Sequence, residues 1–173
     1  IQHLNRGDGI GALILTPTRE LAEQIMRALR KFSKHKPLAI TAVYGGVSIT
    51  PQIDELRRAD VVVGTPGRIL DHLERRTINF SRLKILVLDE ADRMFDMGFI
   101  DDVKRIIKTC PQNRQTMLFS ATISPDIEYM AEKYMKEPQS ISVESHVDPS
   151  KLKQVYYDVP KDIKFSLLVH LLQ

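Results

Sequence analysis

The chain has 173 residues, of which 43% are hydrophobic and 27% charged, and its formal net charge is +3 with a pI of about 9.0. This composition is typical of an ordinary globular domain, and the mild positive charge permits a nucleic-acid or phosphate partner without requiring one. The single cysteine, Cys110, excludes an internal disulfide, and no apolar run approaches the roughly 20 residues that span a bilayer. We therefore expect a soluble protein with no membrane partner, in the cytoplasm or, in a eukaryote, the nucleus.

Five short apolar runs, each followed by a polar or glycine-bearing turn, recur along the chain. They occupy residues 12–16, 38–46, 61–68, 85–92 and 116–122. Their apolarity is continuous and does not alternate, which indicates strands buried on both faces, as in a parallel sheet covered by helices. Residues 140–144, with the sequence SISVE, are interpreted as a last strand.

Helical patterns fill the gaps between these runs. Residues 18–35 place apolar side chains on one face at spacings of three and four, and Pro37 follows as a stop. Residues 99–111 predict a shorter helix, and residues 124–138 predict another that opens with Ser124 as its N-cap. The alternation of strands and helices predicts an α/β fold with mostly parallel strands and helices on both faces.

The order of the predicted strands and helices divides the chain into two domains. We assign residues 1–144 to a first domain, 145–151 to a linker, and 152–173 to the start of a second domain that contains an amphipathic helix. The chain begins without a methionine and ends inside an apolar helical pattern, so we expect a fragment of a longer protein.

Acidic residues directly follow one of the predicted strands, in the stretch ILVLDEAD (85–92). In an open α/β sheet, ligands bind beyond the carboxyl ends of the strands. A carboxylate held there beside low-dielectric surroundings needs a cation or a donor when it is ionised. Asp89 fits a residue that holds Mg²⁺, and Glu90 fits one that orients or deprotonates an attacking water. The alternative is that Asp89 or Asp92 caps the following helix, although capping alone needs one acid.

Two further turns, TPTRE (16–20) and GTPGR (64–68), each combine a hydroxyl, a proline and an arginine where a helix begins. Helix amino termini offer unpaired N–H groups to phosphate. Arg19 and Arg68 are each able to bind a phosphate through bidentate hydrogen bonds. The alternative is two ordinary strand-to-helix turns with solvated arginines. The pairs Gly45–Gly46 and Ser120–Thr122 also follow predicted strands, but each is a weak signal by itself.

Taken in order, five segments resemble the first RecA-like domain of the DEAD-box RNA helicases. They are PTRELA (17–22), GG (45–46), TPGR (65–68), DEAD (89–92) and SAT (120–122). The resemblance covers essentially residues 10–144, and residues 152–173 resemble the start of the second RecA-like domain. It implies a RecA-like three-layer sandwich that uses ATP, Mg²⁺ and RNA.

The resemblance also implies roles for individual residues. Asp89 would help to hold Mg²⁺, directly or through water, and Glu90 would position or activate the water that attacks the γ-phosphate of ATP. Asp92, Ser120 and Thr122 would couple the nucleotide state to the closing of the two domains. The residues expected to line the path of single-stranded RNA, independently of its base sequence, are Pro17, Thr18, Arg19, Gly45, Gly46, Thr65, Pro66, Gly67 and Arg68.

A phosphate-binding loop of the form G-x-x-x-x-G-K-[ST] is absent from the chain, because none of its eight glycines is followed by lysine. The cluster RGDGIG (6–11) precedes a strand and is predicted to be an ordinary loop. In the family the missing first strand lies inside the sheet. We therefore expect either a further N-terminal piece or self-association of the chain, and no RNA-stimulated ATPase or unwinding from this chain alone. Two alternatives stay open for the parent protein: a translocase acting on DNA, and a non-catalytic RNA-binding or scaffold domain.

Overall fold

A computed structural model describes residues 4–142 and 155–172, and the chain divides into two compact units, Ile1–Pro138 and Gln139–Gln173. The first unit contains a five-stranded sheet in the order β2-β3-β1-β4-β5, in which every neighbouring pair is parallel. Its strands are β1 (Ala12–Leu15), β2 (Ile40–Val43), β3 (Val61–Gly64), β4 (Ile85–Leu88) and β5 (Gln115–Leu118). All five predicted runs contain a strand, and each strand ends where the polar turn begins.

Among the described residues, six helices accompany the sheet in the first unit, and one lies in the second. They are α1 (Arg19–Phe32), α2 (Thr50–Leu56), α3 (Pro66–Glu74), α4 (Ala91–Asp96), α5 (Ile100–Thr109), α6 (Pro125–Tyr134) and α7 (Lys164–Leu171). The long helix near the amino end and the helices at 99–111 and 124–138 are confirmed. Sequence periodicity did not reveal α2 and α4, because seven and six residues make too few turns for a 3.6-residue pattern to stand out.

The two faces of the sheet are covered by different helices. Ala12 and Ile14 pack in one cluster with residues of α1, whereas Leu13 and Leu15 pack in a larger cluster that includes side chains from α3, α5 and α6. This alternation is the two-residue period of a strand, and both sets are buried because both faces carry helices. The predicted α/β fold with a mostly parallel sheet and helices on both faces is confirmed.

The five strands end at the same level. Leu15 is in register with Gly64 and Leu88, Val43 with Gly64, and Leu88 with Leu118. The ladder continues one residue beyond: the Thr16 N–H donates to the Gly64 carbonyl at 3.0 Å, and the Asp89 N–H donates to the Leu15 carbonyl at 3.0 Å. The residues that follow the strands are therefore aligned along one edge of the sheet.

The RGDGIG segment is a loop at the opposite edge, as predicted. The Gly7 N–H donates to Asp60 Oδ1 at 2.7 Å, and the Ala39 N–H donates to Asp60 Oδ2 at 2.8 Å. Asp60 is only 1% exposed and directly precedes β3, so two backbone donors satisfy a carboxylate that would otherwise be costly to bury. The loop is thereby tied to the amino ends of the strands, away from the polar turns.

One predicted strand is wrong over the part that the structure describes. Residues 140–142 form no strand, and Ile141 is 92% exposed, since no neighbouring strand pairs with it. Residues 143–144 and the predicted linker at 145–151 lie outside the described residues, so the proposed domain boundaries stay a prediction. The helix predicted within residues 152–173 is present as α7, whose apolar side chains Phe165, Leu168 and Leu171 are exposed.

Gly64 gives a stability test of the aligned strand ends. A Cβ added at Gly64 would lie 2.6 Å from the Val43 carbonyl oxygen and 2.9 Å from Ile69 Cδ1. Because the backbone oxygen belongs to the neighbouring strand, we expect Gly64→Ala to lower the free energy of unfolding by about 1–3 kcal/mol, measured by urea titration. Gly67→Ala is the matched control, since a Cβ there meets nothing within 4 Å and the helical backbone favours alanine. Equal stability of the two variants would contradict this account.

Candidate functional site

The polar turns that follow the five strands lie side by side at the carboxyl edge of the sheet. Strand order places them as YGG after β2, TPGR after β3, TPTRE after β1, DEAD after β4 and SAT after β5. The acidic turns therefore occupy one half of the edge, and the turns rich in glycine, proline and arginine occupy the other. The turn after β1 lies between the two halves.

Asp92 and the SAT turn form one hydrogen-bonded unit. The Thr122 N–H and hydroxyl donate to Asp92 Oδ2 at 3.0 and 2.9 Å, and the Asp92 N–H donates to Ser120 Oγ at 3.2 Å. The Ser120 hydroxyl in turn donates to the Thr122 carbonyl at 2.7 Å. Burial opposes ionisation of Asp92, but the bonds from Thr122 and neighbouring donors outweigh it and hold the pKa of this carboxyl below its usual range.

Asp89 is a half-buried carboxylate that forms no ion pair with any of the described residues. Its Oδ1 accepts a hydrogen bond from the Glu90 N–H at 3.1 Å. Burial raises the pKa of Asp89, and the charge of Glu90 raises it further, while that hydrogen bond only partly offsets them. The ionised form of Asp89 is thus only partly stabilised by its described neighbours, and a bound cation would stabilise it further.

The oxygen ligands at this edge fit Mg²⁺ better than they fit a transition metal. The described residues contain no group of three or more His, Cys, Asp or Glu side chains that could hold a metal ion. Mg²⁺ does not need such a cage, because it is usually bound by one or two carboxylates and retains waters and substrate phosphates. Asp89 is the carboxylate whose environment suits that role.

Glu90 has a strained backbone. Its φ and ψ of 50° and 51° lie in the left-handed region, which costs a residue with a side chain about 1–2 kcal/mol. Hydrogen bonds on both sides hold it there: the Ala91 N–H donates to the Phe119 carbonyl, and the Met94 N–H donates to the Glu90 carbonyl, each at 3.0 Å. The Glu90 side chain is 42% exposed and lies 3.2 Å from the guanidinium of Arg93. Strain that the surroundings enforce in this way is typical of functional positions.

The TPTRE turn holds an arginine that is partly accessible. Thr18 caps α1 by accepting a hydrogen bond from the Leu21 N–H. The guanidinium of Arg19 lies 4.9 Å from the centre of the Tyr44 ring, and its Nε is 3.5 Å from Glu23. The Tyr44 hydroxyl donates to the same Glu23 at 2.6 Å, so side-chain contacts join the turns after β1 and β2. Arg19 remains 49% exposed, which leaves its guanidinium open to an anion.

Arg68 has a different environment from Arg19. Its side chain is only 13% exposed, Nη2 donates to the Val47 carbonyl at 3.0 Å, and Nε is 3.7 Å from Asp71. Its Nη1 is buried without a hydrogen-bond partner in the described part of the chain. The alternative of a solvated arginine in an ordinary turn therefore does not describe Arg68, which holds the turn after β2 against α3.

Two buried polar residues near this turn were not singled out in the sequence. Gln52 is 7% exposed on α2, and His72 is 0% exposed on α3. The sequence does not distinguish His72 from the other four histidines, because its role depends on which residues from other elements surround it. Its spacing on α3, three residues after the buried Ile69, is the local sign that it is buried.

Comparison with known proteins identifies the family. The family model for the DEAD/DEAH box helicase matches residues 1–130. The chain belongs to the DEAD/DEAH box helicase family. The resemblance seen in the five sequence segments is thereby confirmed.

Curated relatives of this DEAD/DEAH box helicase chain are named as RNA helicases. A probable ATP-dependent RNA helicase of Methanocaldococcus jannaschii is 43% identical over 173 residues, which are 100% of this chain and 46% of that protein. The DEAD-box ATP-dependent RNA helicase CshA of Bacillus subtilis is 42% identical over 165 residues, 94% of this chain and 33% of the relative. The chain thus spans between a third and a half of these relatives.

Solved structures of helicase-family proteins share the fold. A DEAD box protein from Methanococcus jannaschii superposes with a TM-score of 0.80 at 43% identity, over 99% of this chain and 46% of that one. A hypothetical ATP-dependent RNA helicase from Sulfolobus tokodaii gives a TM-score of 0.72 at 41% identity, over 76% and 40% of the two chains. The RecA-like α/β fold is therefore confirmed. No helix among the described residues is long and apolar enough to cross a membrane.

The unmatched charge of Asp89 predicts a gain in stability when it is removed. The pKa of Asp89 in the folded chain lies above its ordinary value of 3.8, so at pH 7 the ionised carboxylate opposes folding. Asp89→Asn keeps an oxygen for the Glu90 N–H, and we expect it to raise the melting temperature at pH 7. The difference from the wild type shrinks as the pH falls through the raised pKa, where Asp89 becomes neutral.

Glu90→Gln is the matched control. The melting temperatures of the wild type and both variants are measured by thermal denaturation from pH 3 to 8. It removes an exposed ion pair with Arg93, worth at most about 1 kcal/mol, and the repulsion between Glu90 and Asp89, but it leaves Asp89 buried and ionised. We therefore expect a smaller gain from Glu90→Gln than from Asp89→Asn. If Asp89→Asn melts below the wild type at pH 7, the ionised Asp89 stabilises the fold, and the argument that its environment suits a bound cation fails.

Proposed function

We propose that the protein containing this chain is an ATP-dependent RNA helicase, and that residues 1–144 form much of its first RecA-like domain. The observation that carries the proposal is the set of hydrogen bonds that join Asp92 to Ser120 and Thr122. This set lies beside Asp89 and Glu90, at the same edge of the sheet as the turns after β1, β2 and β3. The relatives are named as ATP-dependent RNA helicases, which supports the same function.

The acidic half of the edge serves ATP hydrolysis in this proposal. Asp89 helps to hold Mg²⁺, which when bound neutralises charge on the phosphates. Glu90 orients the attacking water and accepts its proton, and the strained backbone at φ 50° fixes where its carboxylate begins. Its exposed ion pair with Arg93 has to break when Glu90 engages the water, which costs little because such pairs are weak in solvent.

Asp92 couples the nucleotide site to the SAT turn. Its Oδ2 accepts two hydrogen bonds from Thr122, and its N–H is bound to Ser120, so a shift of the DEAD turn displaces the SAT turn with it. Because Asp92 is attached to the SAT turn at two residues, a movement of the DEAD turn both shifts and reorients the SAT turn. A single hydrogen bond would let the SAT turn rotate independently. In the proposed parent, this linkage relates the state of the nucleotide to the closing of the two RecA-like domains.

The other half of the edge binds the sugar–phosphate backbone of RNA. The turns after β2, β3 and β1 lie side by side, about 10 Å from first to last at the usual strand spacing. Arg19 offers its partly exposed guanidinium to a phosphate, and the remaining contacts come from hydroxyls and backbone N–H groups. The proposed RNA-binding residues are Pro17, Thr18, Arg19, Gly45, Gly46, Thr65, Pro66, Gly67 and Arg68. A direct phosphate contact by Arg68 requires its side chain to leave the position that holds Val47.

The location and assembly of the chain belong to the same proposal. An RNA substrate and a free, buried Cys110 favour the cytoplasm, or the nucleus of a eukaryote. In the described sheet β2 and β5 are the edge strands, and β5 is incompletely buried along its length. That edge, with the exposed apolar side chains of α7, supports self-association of the isolated chain.

The decisive test is ATP hydrolysis by the full-length parent, with and without single-stranded RNA. We expect RNA to stimulate turnover, and Glu90→Gln to lower kcat by roughly 10²- to 10⁴-fold because the water loses its base. Glu132→Gln, an exposed change of the same kind on α6, serves as the control. RNA binding without any ATP turnover would favour a non-catalytic scaffold, and equal stimulation by DNA would favour a DNA translocase.

The isolated 173-residue chain is expected to show no RNA-stimulated ATPase and no unwinding. It contains no glycine followed by lysine, so it lacks the loop that cradles the phosphates of ATP. The measurement is phosphate release from ATP with saturating RNA, and light scattering of the same sample reports its association state. Turnover well above a Glu90→Gln preparation would overturn this expectation.

A further inference from the structure

The turn after β2, residues 44–48, is held through its carbonyl oxygens by side chains from two helices. We call it the glycine turn. Gln52 Nε2, from α2, donates to the Tyr44 carbonyl at 3.1 Å and to the Ser48 carbonyl at 3.5 Å. Arg68 Nη2, from α3, donates to the Val47 carbonyl at 3.0 Å. Three carbonyls of a five-residue turn are thus bound from the protein side.

A buried histidine supports Gln52 from behind. His72 Nε2 lies 3.4 Å from Gln52 Oε1, and His72 Nδ1 lies 2.7 Å from the hydroxyl of Thr77, just beyond α3. His72 is 0% exposed and Gln52 7%, so both are held in one orientation by packing. The polar chain Thr77–His72–Gln52 therefore runs from the far end of α3 to the glycine turn.

The proton positions in this chain follow from its acceptors. Carbonyl oxygens only accept, so the Gln52 amide nitrogen must face the glycine turn and its oxygen must face His72. His72 then carries its proton on Nε2, so Nδ1 has to accept. The Thr77 hydroxyl lies 2.7 Å from Nδ1 and 3.2 Å from the His72 carbonyl oxygen, and its one proton goes to the nearer acceptor, Nδ1. Burial, aided by the charge of Arg68, lowers the pKa of His72 and favours this neutral form. Every polar atom of the chain has a partner, which rigidifies a buried network.

The direction of the carbonyls decides which way the donors of the glycine turn point. In a planar trans peptide the C=O of one residue and the N–H of the next point in opposite directions. Because the Tyr44 and Val47 carbonyls are bound inward, the N–H groups of Gly45 and Ser48 point away from Gln52 and Arg68. The left-handed Gly46, with φ +78°, sits between them and allows this path.

We propose that Gln52 and His72 are positioning residues that orient the N–H groups of the glycine turn toward the sugar–phosphate backbone of RNA. The inference rests on the proposed function for its ligand, but the orientation of the turn rests on the contacts above. Gln52 acts on the turn directly, and His72 acts through Gln52. The network is neutral apart from Arg68, so it contributes geometry and no additional positive charge.

The binding test uses the 173-residue chain and a fluorescein-labelled oligouridylate of about ten nucleotides, followed by fluorescence anisotropy. Gln52→Met preserves volume and charge but removes both donors, and we expect it to weaken binding roughly tenfold, the effect of about one lost net hydrogen bond. The slope of log K against log salt stays unchanged, because that slope counts lysine and arginine contacts. Gln24→Met, on the exposed side of α1, is the matched control.

Thr77 supplies a milder pair of variants that leaves Gln52 and His72 in place. Thr77→Val removes the hydroxyl that donates to His72 Nδ1 while retaining the shape of the side chain, and we expect an intermediate loss of affinity. Thr77→Ser keeps the hydroxyl and should restore binding to near the wild-type value. If Thr77 had a purely structural role, the loss of affinity of each variant would instead be proportional to the drop in its melting temperature.

The positioning role is also measured without RNA. Backbone amide relaxation by NMR should give Gly45 and Gly46 order parameters near 0.85 in the wild type and below about 0.6 in Gln52→Met, with α3 unchanged. Nitrogen shifts of the imidazole should show the Nε2–H form of His72. Wild-type order parameters in a folded Gln52→Met chain would overturn the proposal. If the turn loosens but no chain binds oligouridylate, the proposed RNA function of this fragment fails and the positioning role of Gln52 stands.

Discussion

The common register of the five strand ends is the constraint on which the rest of the site depends. Leu15, Val43, Gly64, Leu88 and Leu118 lie at one level because parallel pairing links each to its neighbour. A slip of one residue in any strand would turn its buried side chains to the other face, so the core enforces the level. The packing of the apolar strand side chains therefore also aligns the five polar turns, and no further structural element is needed to bring them together.

Strand order then divides the edge by physical character. On β4 and β5 the turns present carboxylates and hydroxyls, and on β2 and β3 they present backbone, glycine and an internal arginine. If the glycine- and arginine-bearing half binds RNA as proposed, the carboxylates on the other half are kept away from its phosphates, which they would repel. The turn after β1 is the one place where both halves meet, and there Arg19 is shared between the Tyr44 ring and Glu23.

Much of this could be read from the sequence, because it depends on local pattern. Continuous apolar runs predicted all five strands, and the three- and four-residue spacing predicted α1. Strand order could not be obtained from the pattern, so the direct bond between Asp92 and Thr122 required the structure. The predicted strand at SISVE failed over residues 140–142 for the same reason: strand propensity is expressed only where a neighbouring strand supplies partners. Gln52 and His72 escaped notice because a buried polar residue is defined by its tertiary partners.

The acids of the DEAD segment lie in different environments, although they are close in the sequence. Asp92 is satisfied by donors within the chain, and the pKa of its carboxyl is lowered accordingly. Asp89 is denied such compensation, and the pKa of its carboxyl is raised, while Glu90 is held in a strained backbone. Both features reduce stability, and the fully buried core of leucine, isoleucine and valine offsets them. Asp89 accepts one hydrogen bond from the Glu90 N–H, and Glu90 forms only an exposed ion pair with Arg93, so in the proposed function these two carboxylates serve the cation and the water. The charge of Asp92 is instead stabilised by its hydrogen bonds to the SAT turn.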